Sequence, residues 1–263
     1  MALKQHTDHR LRYDQQVENS RSFVLPFIER TKTIGPGTEV LEIGCGEGGV
    51  LTPFAERGCH CVGVDLDPPR IVLAHEFLGD EIAAGKMEFL LKNVYDDDFL
   101  ARFKNHFDII ILKDTIEHIP NQEKFIPYLK NFLKQGGQIF FGFPPWYMPF
   151  GGHQQLCLHK LTSKMPYYHI LPRPIYKGLL KLGGENAGTI EMLMEIVDTQ
   201  ITIERFERII HKSGLKVVQK QHYLINPIYR YKFGLQPRKQ LKLITWLPYL
   251  RDFLTTCVYY TVQ

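Results

Sequence analysis

Three groups of residues have the types and spacing to do chemistry. The first is Glu42, the glycine run Gly44-Cys45-Gly46-Glu47-Gly48-Gly49, and Asp65 with Leu66 after it. Glycines at this spacing let a backbone approach a nucleotide ligand, and a carboxylate ending the next strand accepts both ribose hydroxyls. Many nucleotide binders share that much. Glu42 narrows the choice, because a loop facing a pyrophosphate would not favour an extra anion two residues before its first glycine. A ligand carrying positive charge, such as a sulfonium bearing an ammonium, suits it. The second group is Lys113-Asp114-Thr115-Ile116-Glu117-His118, directly after an apolar run. The third is Phe143-Pro144-Pro145-Trp146-Tyr147, followed by Phe150, Gly151-Gly152 and His153.

The elements around these groups repeat. "TEVLEIG", "HCVGVDL", "KMEFLLK", "FDIIILK" and "QIFFGF" read as strands, each separated from the next by a helical stretch. "DIIIL" is apolar on both faces, as a parallel strand covered on both sides must be. Five strands alternating with helices predict a doubly wound α/β sheet. A helix over "NQEKFIPYLKNFLKQGG" is expected to end at its glycines, and Pro26 to mark a kink or a second start in a helical segment over 11–33. "TIERFERIIHKSGLKVVQKQHYL" and "DFLTTCVYYTVQ" add a crossover helix and two final strands, seven in all. The expected organisation is one domain over 1–263: an N-terminal helical segment to 38, a cofactor-binding core over 39–143, a cap insertion over 144–200, and a C-terminal part over 201–263 with an insertion at 227–251.

The five cysteines, Cys45, Cys59, Cys61, Cys157 and Cys257, are odd in number and contain no CxxC pair, which argues against a disulfide framework and a zinc site. A reducing cytoplasm is the expected compartment, and no metal ligand set is expected. "MALKQHTDHRLRYDQQ" has no apolar leader-like core, and no uncharged apolar run reaches the roughly 18 residues of a membrane span. The net charge of +4 is unevenly spread: residues 144–184 hold five Lys or Arg and residues 220–251 hold seven, neither with an acid, leaving −8 on the rest.

On "VLEIGCGEGG", "VGVDLDP", "FLLKNVYDD" and "FDIIILKDTIEHI" the chain resembles the class I S-adenosylmethionine-dependent methyltransferases, in the branch that contains small-molecule and ubiquinone-biosynthesis O-methyltransferases. The resemblance runs motif by motif over 39–143. It implies a Rossmann-like fold with S-adenosyl-L-methionine as cofactor. Glu42 and the backbone of Gly44, Cys45 and Gly46 would hold the methionine moiety, Asp65 and Leu66 the ribose side, Asn93 and Val94 the adenine, and Lys113 the methionine end through its backbone. Asn93 departs from the aspartate usual there, yet an amide oxygen still accepts from the adenine amine.

Phe143-Pro144-Pro145-Trp146 is not the clamp that amino-methylating relatives place after the fourth strand. That place holds Lys113-Asp114-Thr115-Ile116, and the tetrapeptide follows the fifth strand without an acceptor side chain at its first position. It is read instead as the start of a cap over the strand carboxyl ends, with Trp146, Tyr147 and Phe150 as an apolar wall and His153 as a candidate general base. His118 is a second catalytic candidate, set against a packed loop residue. Asp67 is read as a helix cap. The acceptor is expected to be a small, partly apolar anion, since the basic segments alternate with aromatics. Solvated faces and contact with a membrane surface are the rival readings of that charge. Other functions weighed are an NAD-dependent oxidoreductase on the same glycine pattern, a noncatalytic binding module, and an RNA methyltransferase. No added RNA-binding domain or basic tail supports the last.

Overall fold

A computed structural model describes residues 8–263, and the polar opening stretch, 1–7, lies outside them. Five strands come first: β1 Glu39–Ile43, β2 His60–Asp65, β3 Met87–Leu91, β4 Phe107–Lys113 and β5 Leu133–Phe143. They are joined in parallel, and β6 Val217–Ile225, β7 Arg238–Lys239 and β8 Cys257–Val262 complete one sheet in the order β3-β2-β1-β4-β5-β8-β6-β7. β8 returns antiparallel between β5 and β6. The fold is a doubly wound, Rossmann-like α/β sheet. Seven strands were expected and eight are present among the described residues. The extra one, β7, is two residues pairing with Tyr223 and Ile225 at the sheet edge, too short to leave an alternation in sequence.

β4 shows why the sheet is buried on both sides. Ile109 and Ile111 join one core cluster, while Ile110 and Leu112 join the cluster on the opposite face. Successive side chains alternate across a strand, so a run apolar at every position needs cover above and below. The helical cover includes Pro68–Phe77 and Ile203–Lys212, whose Thr202 cap accepts from the Arg205 amide at 3.0 Å.

One of two local expectations shifts. The helix opening at Gln122 gives way at Tyr128 to a 3-10 turn ending at Phe132, so Gly136 and Gly137 lie inside β5 rather than after a helix. Pro127 removes a backbone donor there, which weakens the last helical turn. Pro26 does mark a second start: helix His9–Asn19 runs into one π-helical turn, Ser20–Val24, and α-helix resumes at Leu25–Glu29 with Pro26 in its first turn.

Residues 144–200, the stretch expected to form the cap, have their own apolar core of Trp146, Tyr168, Tyr176, Leu180 and Leu193. The stretch is tied to the rest of the chain where the Trp146 amide donates to the Ile201 carbonyl at 2.9 Å, ahead of helix Ile203–Lys212, and the Thr199 hydroxyl donates to the Glu117 carbonyl on the turn after β4. The 227–251 insertion opens with a short helix, Tyr229–Phe233, that leans on the first helix: the Tyr231 hydroxyl donates to the Glu18 carbonyl at 3.1 Å, and Gln15 Nε2 to the Tyr231 carbonyl at 3.2 Å.

Candidate active site

The carboxyl ends of β1, β2 and β4 meet at the glycine loop. The Gly44 amide donates to the Val64 carbonyl at 2.8 Å, fastening the loop to β2. Gly44 has φ 74°, and a Cβ there would lie 2.7 Å from the Thr115 side chain. Gly48 serves packing, since its Cβ would meet Phe89 at 2.6 Å and Leu78 at 2.7 Å. Asp65 accepts from the Gly46 amide at 2.8 Å and the Asp67 amide at 3.0 Å, so its carboxylate is fixed at the loop mouth. Asp67 makes no capping bond with its side chain and pairs with Arg70 at 3.1 Å instead.

Glu42 is 1% exposed, and its Oε2 has no hydrogen-bond partner among the described residues. Burial, then the charge of Asp65, holds its carboxyl pKa well above the usual range. The Cys45 side chain turns into the core, leaving its backbone to the loop. Leu66 is 68% exposed beside Asp65. Asn93 is exposed and its Oδ1 accepts from the Tyr95 amide at 3.0 Å, while Val94 is buried in the core with its carbonyl accepting from the Tyr128 hydroxyl at 3.0 Å.

At the end of β4, Lys113 is buried and paired with Asp114. Burial opposes both charges, but each partner outweighs it, so the Asp114 pKa is lowered and that of Lys113 raised. Glu117 and His118 follow on a 3-10 turn, Ile116–His118, with Glu117 buried and His118 at the surface. His153 comes to them from the cap in a left-handed backbone, φ 55°, which a non-glycine residue keeps only where its surroundings hold it. Its ring centroid lies 5.1 Å from that of His118 and its Nε2 3.9 Å from Glu117 Oε1. Burial, then His118, pushes the His153 pKa down to about 3, so the imidazole is neutral throughout the physiological range. A general base works best with a pKa near the operating pH, and His153 stands well below it.

Trp146 packs inside the cap core, edge-on to His169 at 4.7 Å, and Tyr147 stacks on Phe253 at 5.0 Å. A cavity of about 470 Å³ opens between the cap and the Tyr229–Phe233 helix, walled by Met148, Phe150, Tyr229 and Phe233 with Lys164 and Gln155 among its lining. A second recess, of about 530 Å³ by Lys32, Gly37 and Asp108, lies at the amino ends of β1 and β4, away from the glycine loop.

Lys232 and Arg12 were missed from sequence, and Glu47 was seen only as part of the glycine run. Lys232 lies close enough to Asp114 to feel its charge, and burial brings its pKa down to about 8. Glu47 is buried and held by His9 at 3.2 Å and Arg12 at 3.6 Å, which draws the first helix over the loop. The acid-free basic run over 220–251 was the signal for Lys232, and nothing local distinguished Arg12.

A family model described as a methyltransferase domain matches residues 13–220. The chain belongs to this family. The chain is 28% identical over 117 residues to the ubiquinone biosynthesis O-methyltransferase of Aromatoleum aromaticum, covering 44% of this chain and 48% of that protein. It is 32% identical over 117 residues to phosphoethanolamine N-methyltransferase 2 of Caenorhabditis elegans, covering 44% of this chain and 26% of that one. It thus spans about half, or less, of these curated relatives. A solved geranyl diphosphate methyltransferase bound to S-adenosylmethionine superposes with TM-score 0.58 at 12% identity, over 92% of this chain and 84% of that one, which shows the shared fold. The loop fits this family's cofactor, S-adenosylmethionine: the orphaned Glu42 Oε2 is a place for a cationic donor, and Gly44 and Gly46 leave the loop backbone bare. Among the described residues no helix is long and apolar enough to cross a membrane.

Proposed function

We propose that this methyltransferase moves a methyl group from S-adenosylmethionine to an oxygen or nitrogen of a small anionic amphiphile seated in the cavity between the cap and the Tyr229–Phe233 helix. On this reading the chain is one domain, with 144–200 as its cap and 227–251 as a second cover. When bound, the donor supplies an electrophilic methyl on sulfonium. Glu42 and the Gly44–Gly46 backbone would hold its methionine part, Asp65 its ribose, and Asn93 its adenine edge. Methyl transfer needs chiefly an aligned nucleophile and excluded water, so a site without a well-tuned base is adequate to it.

The observation that carries the acceptor class is the cavity itself: aromatic and thioether walls, Lys164 in its lining, and Lys232 on the same short helix as Tyr229 and Phe233. That mixture suits a charged head beside a greasy body. The curated relative named for phosphoethanolamine and the solved structure named for geranyl diphosphate both point to phosphate-bearing acceptors. Of the twelve basic residues in the two acid-free segments, Arg173, Lys220 and Arg251 are paired with Asp198, Glu207 and Glu204, respectively.

The 227–251 insertion also exposes Leu241, Leu243, Trp246 and Tyr249 beside Arg238, Lys239 and Lys242. Anionic lipid is the surface that matches apolar and basic groups so interleaved, and an amphiphilic acceptor would be met there.

Isothermal titration with S-adenosylhomocysteine and NADH, followed by labelled methyl transfer to a panel of phosphate-, carboxylate- and uncharged acceptors, tests the reading. Binding of the homocysteine product alone, with label on an anionic acceptor, is expected. Binding of NADH instead, or label only on uncharged acceptors, would sink it.

A further inference from the structure

The two segments that wall the cavity, 144–200 and 227–251, meet at one short helix, Leu250–Leu254, just before β8. From the first segment, Tyr147 stacks on Phe253 and the Tyr167 hydroxyl donates to the Phe253 carbonyl at 3.1 Å. From the second, the Tyr249 amide and Arg251 Nε each donate to Glu204 Oε1 at 2.8 Å, and Arg251 Nη2 donates to Glu207 Oε2 at 2.6 Å. Asp252 completes the joint, its Oδ1 accepting from the Ile203 amide at 3.0 Å at the start of helix Ile203–Lys212.

The charges in this joint do not balance. Three carboxylates, Asp252, Glu204 and Glu207, share two cations, Arg251 and Lys220, and the Lys220 Nζ is taken by Glu207 at 2.7 Å. The groups that face the joint from β6 and β8 add no charge. Burial, then Arg251, brings the His222 pKa down to about 4, and burial, then Glu207, holds that of Tyr260 well above its usual range. Asp252 is fully buried and has no ion-pair partner among the described residues. Its Oδ2 and Glu204 Oε2 are both buried without a hydrogen-bond partner among those residues. Ionised carboxylates only accept, so as two anions neither can satisfy the other, whereas one proton between them satisfies both. They are within reach, because Glu204 acts on Asp252 through a hydrogen bond as well as through its charge. Burial, opposed by the Ile203 amide and helped by Glu204, pushes the Asp252 pKa up to about 7.

We propose that Asp252 and Glu204 hold a single proton between them, and that this proton latches the 144–200 and 227–251 segments to helix Ile203–Lys212. With the proton gone, two anions face each other inside the joint and closure weakens. The closed joint keeps its proton up to about pH 7, whereas an opened one, with Asp252 in water, releases it near about 3.9. Closure is therefore strongest below about pH 4, weakens by about tenfold per pH unit up to about 7, and levels off above that. Control of access to the cavity rests on the methyl-transfer reading. The latch does not, and it is measured with neither donor nor acceptor present.

The test is amide hydrogen exchange of the full-length protein, read by mass spectrometry at a series of pH values and corrected for the intrinsic pH dependence of exchange. Opening of peptides over 144–170 and 240–256 is expected to rise by about tenfold per pH unit to about pH 7 and then to flatten. Asp252→Asn keeps an oxygen for the Ile203 amide and gives Glu204 a permanent donor, so its opening should be independent of pH over that range. Asp252→Ala, which lacks both bonds, should open more readily than Asp252→Asn at every pH. A wild-type profile that is flat below about pH 7 overturns the proposal with no variant needed. A slope that survives in Asp252→Asn overturns it equally, since the proton would then be held elsewhere.

Discussion

The proposed donor side and the proposed acceptor side of this cleft are built in different ways. The donor side is drawn from the ends of consecutive strands, with Glu42, Gly44–Gly46 and Asp65 inside one βαβ unit, and it presents mostly backbone. The acceptor side gathers Met148 and Phe150 from the cap, Tyr229 and Phe233 from the second insertion, and Thr256 next to β8, and it presents mostly side chains. A surface made of backbone constrains its own residues to glycine and leaves a local signature. A surface made of side chains from distant segments constrains only their general character, so the two sides should fail differently when altered.

The largest effect is expected where the donor side meets the core. Gly48→Val puts a branched side chain at φ 82°, into atoms that already lie 2.6 Å and 2.7 Å from where a Cβ would stand. Overpacking costs about 1–3 kcal/mol and the left-handed backbone about 1–2 more, so a loss of roughly 2–5 kcal/mol in a denaturant melt is expected. A melt like that of the wild type would show that the loop is loosely packed and that its glycines answer only to the ligand.

Asp65→Ala comes next. Hydrogen bonds to a charged acceptor are worth about 1.5–3 kcal/mol and a tenfold change in affinity about 1.4. Binding of S-adenosylhomocysteine should fall by about tenfold to somewhat over a hundredfold. The variant also frees the Gly46 and Asp67 amides, so a small loss of stability should accompany it. Unchanged affinity would refute the ribose role, whatever the melt shows.

The same contrast explains what was legible beforehand. The sheet was readable through β4, because "FDIIILK" has to be covered on both faces and "HCVGVDL" ends on the one carboxylate that the loop amides fix. The donor loop was readable because Gly44 and Gly48 are required by φ and by contact. The cap was not. Trp146 reads as a wall from its aromatic neighbours, yet it lies in the cap's own core, and only the tertiary packing of Tyr168, Tyr176 and Leu193 decides that. Glu117 and His118 were visible as a pair, but their meeting with His153 depends on a return of the chain across the sheet that no local spacing encodes. β7 was invisible because two residues carry no period.

On the acceptor side, charge gives a sharper handle than shape. Burial lowers the Lys232 pKa to about 8, so the ammonium is present at pH 7 and is lost as pH rises through about 8. An anionic acceptor should bind well below that point, and its KM should climb above it. Lys232→Gln should raise KM about tenfold at pH 7, the weight of one charge-assisted bond, and flatten the rise. Folding gives the opposite slope: the unfolded chain holds this proton up to its ordinary pKa near 10.4, so wild-type stability should gain from this group between those values and the variant should not. A KM that ignores both pH and the substitution would place Lys232 outside the acceptor's reach.

The smallest effect is expected at the surface of the second insertion, where the acceptor side faces solvent. Trp246 is 81% exposed and Leu243 73%, with Lys242 on the same short helix as Leu243. Solvent gives these side chains nothing to pack against, whereas an anionic bilayer offers an apolar boundary and counter-charge together. Each basic residue near such a surface adds about 1 kcal/mol, and partial burial of one indole a similar amount. Trp246→Ala should therefore reduce cosedimentation with phosphatidylglycerol vesicles by about fivefold, and Lys242→Glu should do at least as much, because it reverses a charge instead of removing a contact. Raising the salt should weaken the wild type more than it weakens Lys242→Glu, since screening acts on what the variant has already lost. If the protein sediments equally with phosphatidylcholine, or if velocity sedimentation shows that Trp246→Ala dissolves a dimer in the absence of lipid, the patch meets another surface and the acceptor is taken from solution.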